Sequence, residues 1–279
     1  MPKIFNFDTL KENIPKRDVN SHKGNFGKVL VVGGSEGMGG AAILASETCL
    51  YCGSGLVHLY ANSNAVKASL KRNPEIMAMC MSEKKLFPKQ LNVILCGPGL
   101  SSDSLSKKMF LNACDYKNLD GLILDAGALK LLFELDINNI DNLILTPHPG
   151  EAAMLLNTSV SEIQNNRVDS IKMISKNYNA NVILKGNDTL FFDKKHNEIY
   201  QCSEGGPELA TGGTGDILAG VITSLVGQKL EITNACNLAI AAHARAGVIF
   251  KKSIGEIGLN ASSLIPIIRK ILNKWKKLI

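Results

Sequence analysis

Eight short apolar runs alternate with helical patterns along this chain, and that alternation restricts the fold more than any other feature. The runs fall at 28–32, 56–60, 76–81, 93–96, 122–125, 143–146, 182–185 and 189–192. Most are unbroken stretches of four or five apolar residues, the pattern of parallel strands covered on both faces. Helical spacing appears between and after them, at 40–52, 105–114, 150–156, 161–177, 216–226, 233–251 and 261–277. The order predicts an α/β fold in three layers, helices over both faces of a central, mostly parallel sheet. No repeat, low-complexity stretch or shift in composition marks a linker, so residues 1–279 read as a single domain. In such sheets ligands sit beyond the carboxyl ends of the strands. The Gly-rich and polar motifs here all follow strands, so one rim should gather them.

The densest motif is Thr211-Gly212-Gly213-Thr214-Gly215-Asp216, followed by the apolar spacing of Ile217, Leu218, Val221, Ile222 and Leu225. That places the glycines at a helix N-terminus, where unpaired N–H groups and the helix dipole favour an anion, phosphate above all. Asp216 is out of place beside a phosphate unless it removes a proton from an attacking hydroxyl. An isolated Gly-x-Gly-Asp reads more simply as a capped turn. The longer run and its companion motifs reverse that preference.

The companions are individually weaker. Gly33-Gly34-Ser35 leads through Gly39 and Gly40 to the small residues Ala41 and Ala42 at a helix start. A dinucleotide fingerprint beginning at Gly33 fails because position 35 is Ser, and no Walker A pattern occurs. Gly97-Pro98-Gly99-Leu100 is a fixed turn with open backbone. Asp125 ends a strand and reads equally as an N-cap or a rim acid. In Thr146-Pro147-His148-Pro149-Gly150-Glu151, two prolines hold His148 beyond a strand end. Glu151 can hold Mg²⁺, directly or through water, or simply favour the helix N-terminus. Lys185-Gly186-Asn187-Asp188-Thr189 carries hairpin chemistry between two strands, with Lys185 able to reach a phosphate.

Bulk properties exclude several classes. Net charge is +6, too modest to argue for nucleic acid. The basic end, with Lys270, Lys274, Lys276 and Lys277, reads as a solvated helix face, and Leu264, Ile265, Ile268, Ile271, Leu272 and Trp275 as its docking side. Seven scattered cysteines suit reduced thiols better than a disulfide framework, and Cys49-Leu50-Tyr51-Cys52 reads as core packing. No apolar stretch reaches membrane-spanning length, and Asp8, Glu12 and Asp18 interrupt any leader-like pattern, so the cytoplasm is expected.

Together the motifs resemble the ADP- or ATP-dependent NAD(P)H-hydrate dehydratases of the ribokinase-like superfamily. The matching segments run in order from Ser21-His-Lys-Gly-Asn-Phe-Gly27 through the glycine loops, the Thr146–Glu151 and Lys185–Gly186 segments and Thr211–Asp216. They continue to His243-Ala-Arg-Ala-Gly247 and Gly255-Glu-Ile-Gly258. The resemblance implies a nicotinamide nucleotide repair enzyme. It would phosphorylate the C6 hydroxyl of the S epimer of hydrated NADH or NADPH (NADHX, NADPHX) from ADP or ATP, with Mg²⁺, and then eliminate phosphate. It implies Asp216 as the base and Gly212, Gly213, Thr214 and Gly215 as the anion hole. Ala41, Gly99, His148 and Asp216 match positions that line the hydrate pocket. Lys185, Gly186, Asn187, Asp188, Thr189 and Gly215 match positions that hold the AMP part of the donor.

The resemblance also implies a homo-oligomer, a tetramer in many relatives, and a separate epimerase acting on the same metabolite. No fused epimerase domain is evident, which leans towards ADP as donor. Two departures stand out. Many relatives carry a second Asp where Gly127 stands, so Asp125 receives no essential role, and many carry Asp where Ser263 stands. The competing enzyme is a small-alcohol kinase of hydroxymethylpyrimidine or hydroxyethylthiazole type. It would share the base and anion hole but usually has Asn in place of His148. A nucleotide sensor without turnover is the non-enzymatic alternative.

Overall fold

The computed structural model describes residues 1–82, 87–135, 137 and 140–273. Ten strands form one sheet: β1 (Lys3–Phe5), β2 (Lys28–Val32), β3 (Leu56–Ala61), β4 (Met77–Cys80), β5 (Val93–Cys96), β6 (Gly121–Leu124), β7 (Leu143–Leu145), β8 (Asn181–Leu184), β9 (Leu190–Asp193) and β10 (Glu198–Cys202). Their order is β1-β10-β9-β8-β7-β6-β5-β2-β3-β4. Among the described strands only β9 runs against the rest, pairing antiparallel with both β8 and β10.

The helices are α1 (Phe7–Leu10), α2 (Gly39–Tyr51), α3 (Ser63–Arg72), α4 (Ser104–Cys114), α5 (Gly127–Leu135), α6 (Pro149–Leu155), α7 (Val160–Asn165), α8 (Arg167–Tyr178), α9 (Thr214–Gly227), α10 (Ile232–Ser253) and α11 (Leu264–Leu272). The helix expected over 161–177 is two. Asn166 takes φ −130° and ψ 43°, which is not helical, and so divides α7 from α8.

The strand runs are apolar throughout because alternate residues enter different cores. Val29 and Val31 join a core with residues of α2, α9, α10 and α11 on one face, while Leu30 and Val32 join another with α4, α5, α6 and α8. All four are fully buried. Each such side chain contributes about 1.5–3 kcal/mol through removal from water. Leu264, Ile265, Ile268 and Ile271 of α11 are covered by this same subunit. Lys274, Trp275, Lys276 and Lys277 lie outside the described residues.

Cys49 and Cys52 are both buried, and Cys49 Sγ donates to the carbonyl of Gly220 at 3.4 Å. Burial pushes the Cys52 thiol up to about 12, so this pair is inert packing. All seven cysteines are free. Among the described residues no helix is long and apolar enough to cross a membrane.

Candidate active site

Three neighbouring parallel strands carry a polar residue just past their ends. Asp125 follows β6, Thr146 follows β7 and Lys185 follows β8, and these strands lie side by side. Lys185 Nζ stands 2.7 Å from Asp125 Oδ1 and 3.8 Å from Glu151 Oε2. Thr146 Oγ1 donates to the same Asp125 oxygen at 2.8 Å. Asp125 is 2% exposed. It is therefore neither an N-cap nor idle; it anchors the lysine.

The glycine run brings a helix end to this cluster. Gly213 caps α9 in the left-handed region, φ +93°, and no side chain caps the helix. Thr214 Oγ1 donates back to the carbonyls of Leu209 (3.0 Å) and Thr211 (2.9 Å), which ties the loop to the first turn. A Cβ on Gly215 would stand 3.4 Å from Lys185 Nζ, so the first turn of α9 faces that ammonium. The first turn also carries Asp216.

Burial pushes the Asp216 carboxyl up to about 7. The Asp125 charge adds to the rise, Lys185 opposes it and Glu151 adds a little more. The lysine responds the other way. Burial works against its charge, yet Asp125, Glu151 and Asp216 outweigh that and hold its pKa above the ordinary lysine value. Three carboxylates thus surround one ammonium, and the shortfall of positive charge falls on Asp216. An acid poised near neutrality is suited to accept a proton.

Lys185, Gly186, Asn187, Asp188, Thr189 and Gly215 all line one cleft of about 520 Å³. Thr214, Leu209, Leu218, Ile240, His243 and Ala244 complete much of its wall. The residues expected to hold the AMP part of a donor therefore share one space. His243 is neutral there: burial pushes its pKa down to about 4, against a smaller opposing effect of the Thr214 backbone.

On the other side of α9 the two early glycine loops lock together. Gly34 N donates to Pro98 O and Ser35 N to Gly99 O, both at 2.8 Å. Buried Ser35 accepts from Ser101 N at 2.9 Å. Gly99 is left-handed, φ +61°; a Cβ there would stand 3.2 Å from Ala41 Cβ and 2.3 Å from Met38 O. Ala41 and Gly99 are thus adjacent. One turn along α2 from Ala41, Leu44 Cδ1 lies 2.9 Å from where a Cβ on Gly213 would be. The start of α2, which carries Ala41, thus meets the Gly213 loop through this contact.

His148 is the N-cap of α6. Its Nδ1 accepts from Gly150 N (2.9 Å) and Glu151 N (3.2 Å), and Glu151 Oε2 accepts from His148 N (2.7 Å). The prolines fix the turn, and the reciprocal capping fixes the ring. Through Glu151 the histidine connects to Lys185. None of Ala41, Gly99, His148 and Asp216 lines the 520 Å³ cleft; they stand on the side of the α2 and α6 N-termini and the first turn of α9. Sequence reasoning missed Asp125 as an anchor, along with Thr146 and Arg167, which backs the Gly186 loop. A strand-end position was the only available signal for the first two; Arg167 offered none.

The sequence profile of the NAD(P)H-hydrate dehydratases matches residues 29–270. The chain is 37% identical over 263 residues to the bifunctional NAD(P)H-hydrate repair enzyme of Vibrio cholerae, covering 93% of this chain and 52% of that one. It spans about half the length of the bifunctional relatives it matches. With the ADP-dependent (S)-NAD(P)H-hydrate dehydratase of Neisseria meningitidis it shares 35% identity over 94% of this chain and 90% of that one. The fold superposes on the Bacillus subtilis ADP/ATP-dependent NAD(P)H-hydrate dehydratase, co-crystallised with ATP and Mg²⁺, with TM-score 0.88 and 26% identity. That match covers 100% of this chain and 99% of the other. The three-layer, mostly parallel architecture expected from the strand–helix alternation is borne out. From the profile match and the ordered motifs alike, this chain belongs to the NAD(P)H-hydrate dehydratase family.

Proposed function

We propose that the chain restores NADH or NADPH from the S epimer of its C6 hydrate, using ADP or ATP. Asp216 takes the proton of the C6 hydroxyl as that oxygen attacks the terminal phosphoryl group. The bond to the donor's bridging oxygen breaks, and AMP (or ADP) leaves. Phosphate is a far better leaving group than hydroxide. The ring nitrogen then drives out phosphate from C6, a proton leaves C5, and the 5,6 double bond returns.

The carrying observation is Asp216 in the first turn of α9, with its carboxyl pushed up to about 7 opposite the Lys185 cluster. The backbone of Gly212–Gly215 supplies donors to the moving phosphoryl group, as a preorganised anion hole does. Lys185 offers its charge at the same place, oriented by Asp125. The loop Lys185–Thr189 holds the AMP part, and Ala41, Gly99 and His148 bound the hydrate. Among the described residues no cluster of His, Cys, Asp and Glu could hold a metal ion by itself, but Mg²⁺ commonly takes one or two carboxylates plus phosphate and water, and Glu151 is the carboxylate available for that role. Mg²⁺ would supply further charge compensation on the donor phosphates, with Glu151 holding it through water. A separate epimerase acting on the same metabolite would supply the S form.

The test is incubation of hydrated NADH with Mg²⁺ and ADP or ATP in turn. Return of the NADH absorption band with release of inorganic phosphate is expected. Accumulation of a stable phosphorylated alcohol would instead identify a kinase.

A further inference from the structure

The donor cleft carries a carboxylate that the phosphoryl transfer does not use. Asp188 lines the cleft, sits in the left-handed region at φ +54°, and is exposed. Among the described residues no hydrogen bond or ion pair engages it. The other carboxylate lining this cleft, Glu204, is committed to Arg245 Nε at 3.0 Å and to Phe7 N at 3.2 Å.

Behind the Asp188 loop stands Arg167. Its Nη2 donates to Leu184 O at 3.2 Å and its Nη1 to Gln164 Oε1 at 3.1 Å. Nη1 also lies 3.0 Å from where a Cβ on Gly186 would be, so the guanidinium presses against the loop. Asp188 and Arg167 share a second hollow with Asn187. Burial lowers the Arg167 pKa, and the Asp188 charge works against that fall. The arginine thus steadies the loop through Leu184 and the acid through its field.

A carboxylate only accepts hydrogen bonds, and beside a polyphosphate it is repelled. In a nucleotide cleft it must therefore meet donors. Lys185 and the α9 N-terminus mark the phosphate position. Leu209, Leu218, Ile240 and Ala244 provide an apolar wall for the base. What an adenosine presents between phosphate and base is a ribose with two hydroxyl donors. Carboxylates recognise such hydroxyls in other nucleotide sites.

We propose that Asp188 reads the ribose hydroxyls of the phosphoryl donor, with Arg167 as the positioning residue behind it, so that the enzyme favours ribonucleotide over deoxyribonucleotide donors. This rests on the reading that the Lys185–Thr189 loop holds the AMP part.

The experiment is calorimetric titration of the full chain with AMP, 2′-deoxy-AMP and 3′-deoxy-AMP. A charge-assisted hydrogen bond leads us to expect at least one deoxy form to bind about 10- to 100-fold more weakly than AMP. Asp188→Gly tolerates the left-handed backbone. In that variant AMP should bind more weakly and the three nucleotides should bind alike. Arg167→Met should narrow the preference and Arg167→Lys should keep most of it. Equal binding of all three nucleotides by the parent chain, or an unchanged preference in Asp188→Gly, overturns the inference and leaves the donor site standing. Failure of all three to bind overturns the donor-site reading and this inference with it.

Discussion

Lys185 Nζ lies 2.7 Å from Asp125 Oδ1, and both side chains are largely withdrawn from water, at 18% and 2% exposure. A pair this sheltered is costly to break from one side. Asp125→Ala leaves a buried ammonium facing only Glu151 and Asp216, and Lys185→Met leaves three carboxylates with no counter-charge. Removing one partner of a buried pair typically costs about 3–5 kcal/mol. We predict that each single variant lowers the unfolding free energy, read from chemical denaturation, by that order. The double variant Asp125→Ala/Lys185→Met should lose less than the sum. Strict additivity would show that the pair is not coupled.

Asp216 carries the chemistry in the mechanism proposed here. Asp216→Asn keeps the shape and removes the base. The prediction is a fall of about 10²- to 10⁴-fold in kcat, the usual range for a general base. AMP binding should persist, since the loop Lys185–Thr189 is untouched. Turnover is read from recovery of the NADH band, and binding by calorimetry. Parent-like turnover in the Asn variant removes Asp216 from the mechanism.

The pH dependence follows from the same carboxyl. The base must be ionised, so log kcat/KM should rise with unit slope as pH increases and level off above about 7. Stability moves the opposite way. The folded pKa, about 7, lies above the ordinary value of 3.8, so the folded chain holds this proton more tightly than the unfolded chain. The stability contributed is fully present below about 3.8 and is lost as pH rises through 7. Asp216→Asn removes this titration. We predict that it unfolds at the same denaturant concentration as the parent near pH 4. Above pH 7 it should be more stable, by about 1–3 kcal/mol once solvent screening of a half-buried group is allowed for. Equal stability at both pH values would contradict the raised pKa.

Most strands that sequence reading locates are covered on both faces, because burial on both sides leaves an unbroken apolar run; β4, an edge strand that is only partly buried, is the exception. β1 and β10 escape that reading. β1 has only three residues, and β10, Glu198–Cys202, mixes polar and apolar positions. α3 escapes for a related reason: only Ala65, Val66 and Ser69 of its ten residues are buried. α5 starts straight after left-handed Ala126, so its opening reads as a turn. The motifs point to the rim where Asp125, Thr146 and Lys185 gather, yet the role of Asp125 stays hidden. Its partner Lys185 is sixty positions away, and only the sheet order, with β6, β7 and β8 adjacent, brings them together. A one-dimensional pattern holds no record of that order.

Gly213 gives the most local prediction. Its φ of +93° is a conformation that side chains other than glycine rarely adopt. Space is closed as well, because a Cβ there would stand 2.9 Å from both Ala261 Cβ and Leu44 Cδ1. Leu44, a flexible and only partly buried side chain, can turn aside, but Ala261 cannot: it is 5% exposed in the core that α11 closes. Gly213→Ala should therefore shift the α9 N-terminus rather than Ala261. The cost from strain and contact together is about 1–3 kcal/mol. A displaced first turn moves the amides proposed to bind the phosphoryl group and the Asp216 carboxyl at once, so kcat should fall by about 10²-fold or more. Gly212→Ala is the control: no atom lies within 4 Å of a Cβ at Gly212. Its unfolding free energy should stay within about 0.5 kcal/mol of the parent's. If the two alanine variants lose stability and turnover equally, the left-handed cap at Gly213 is not what sets the position of this helix end.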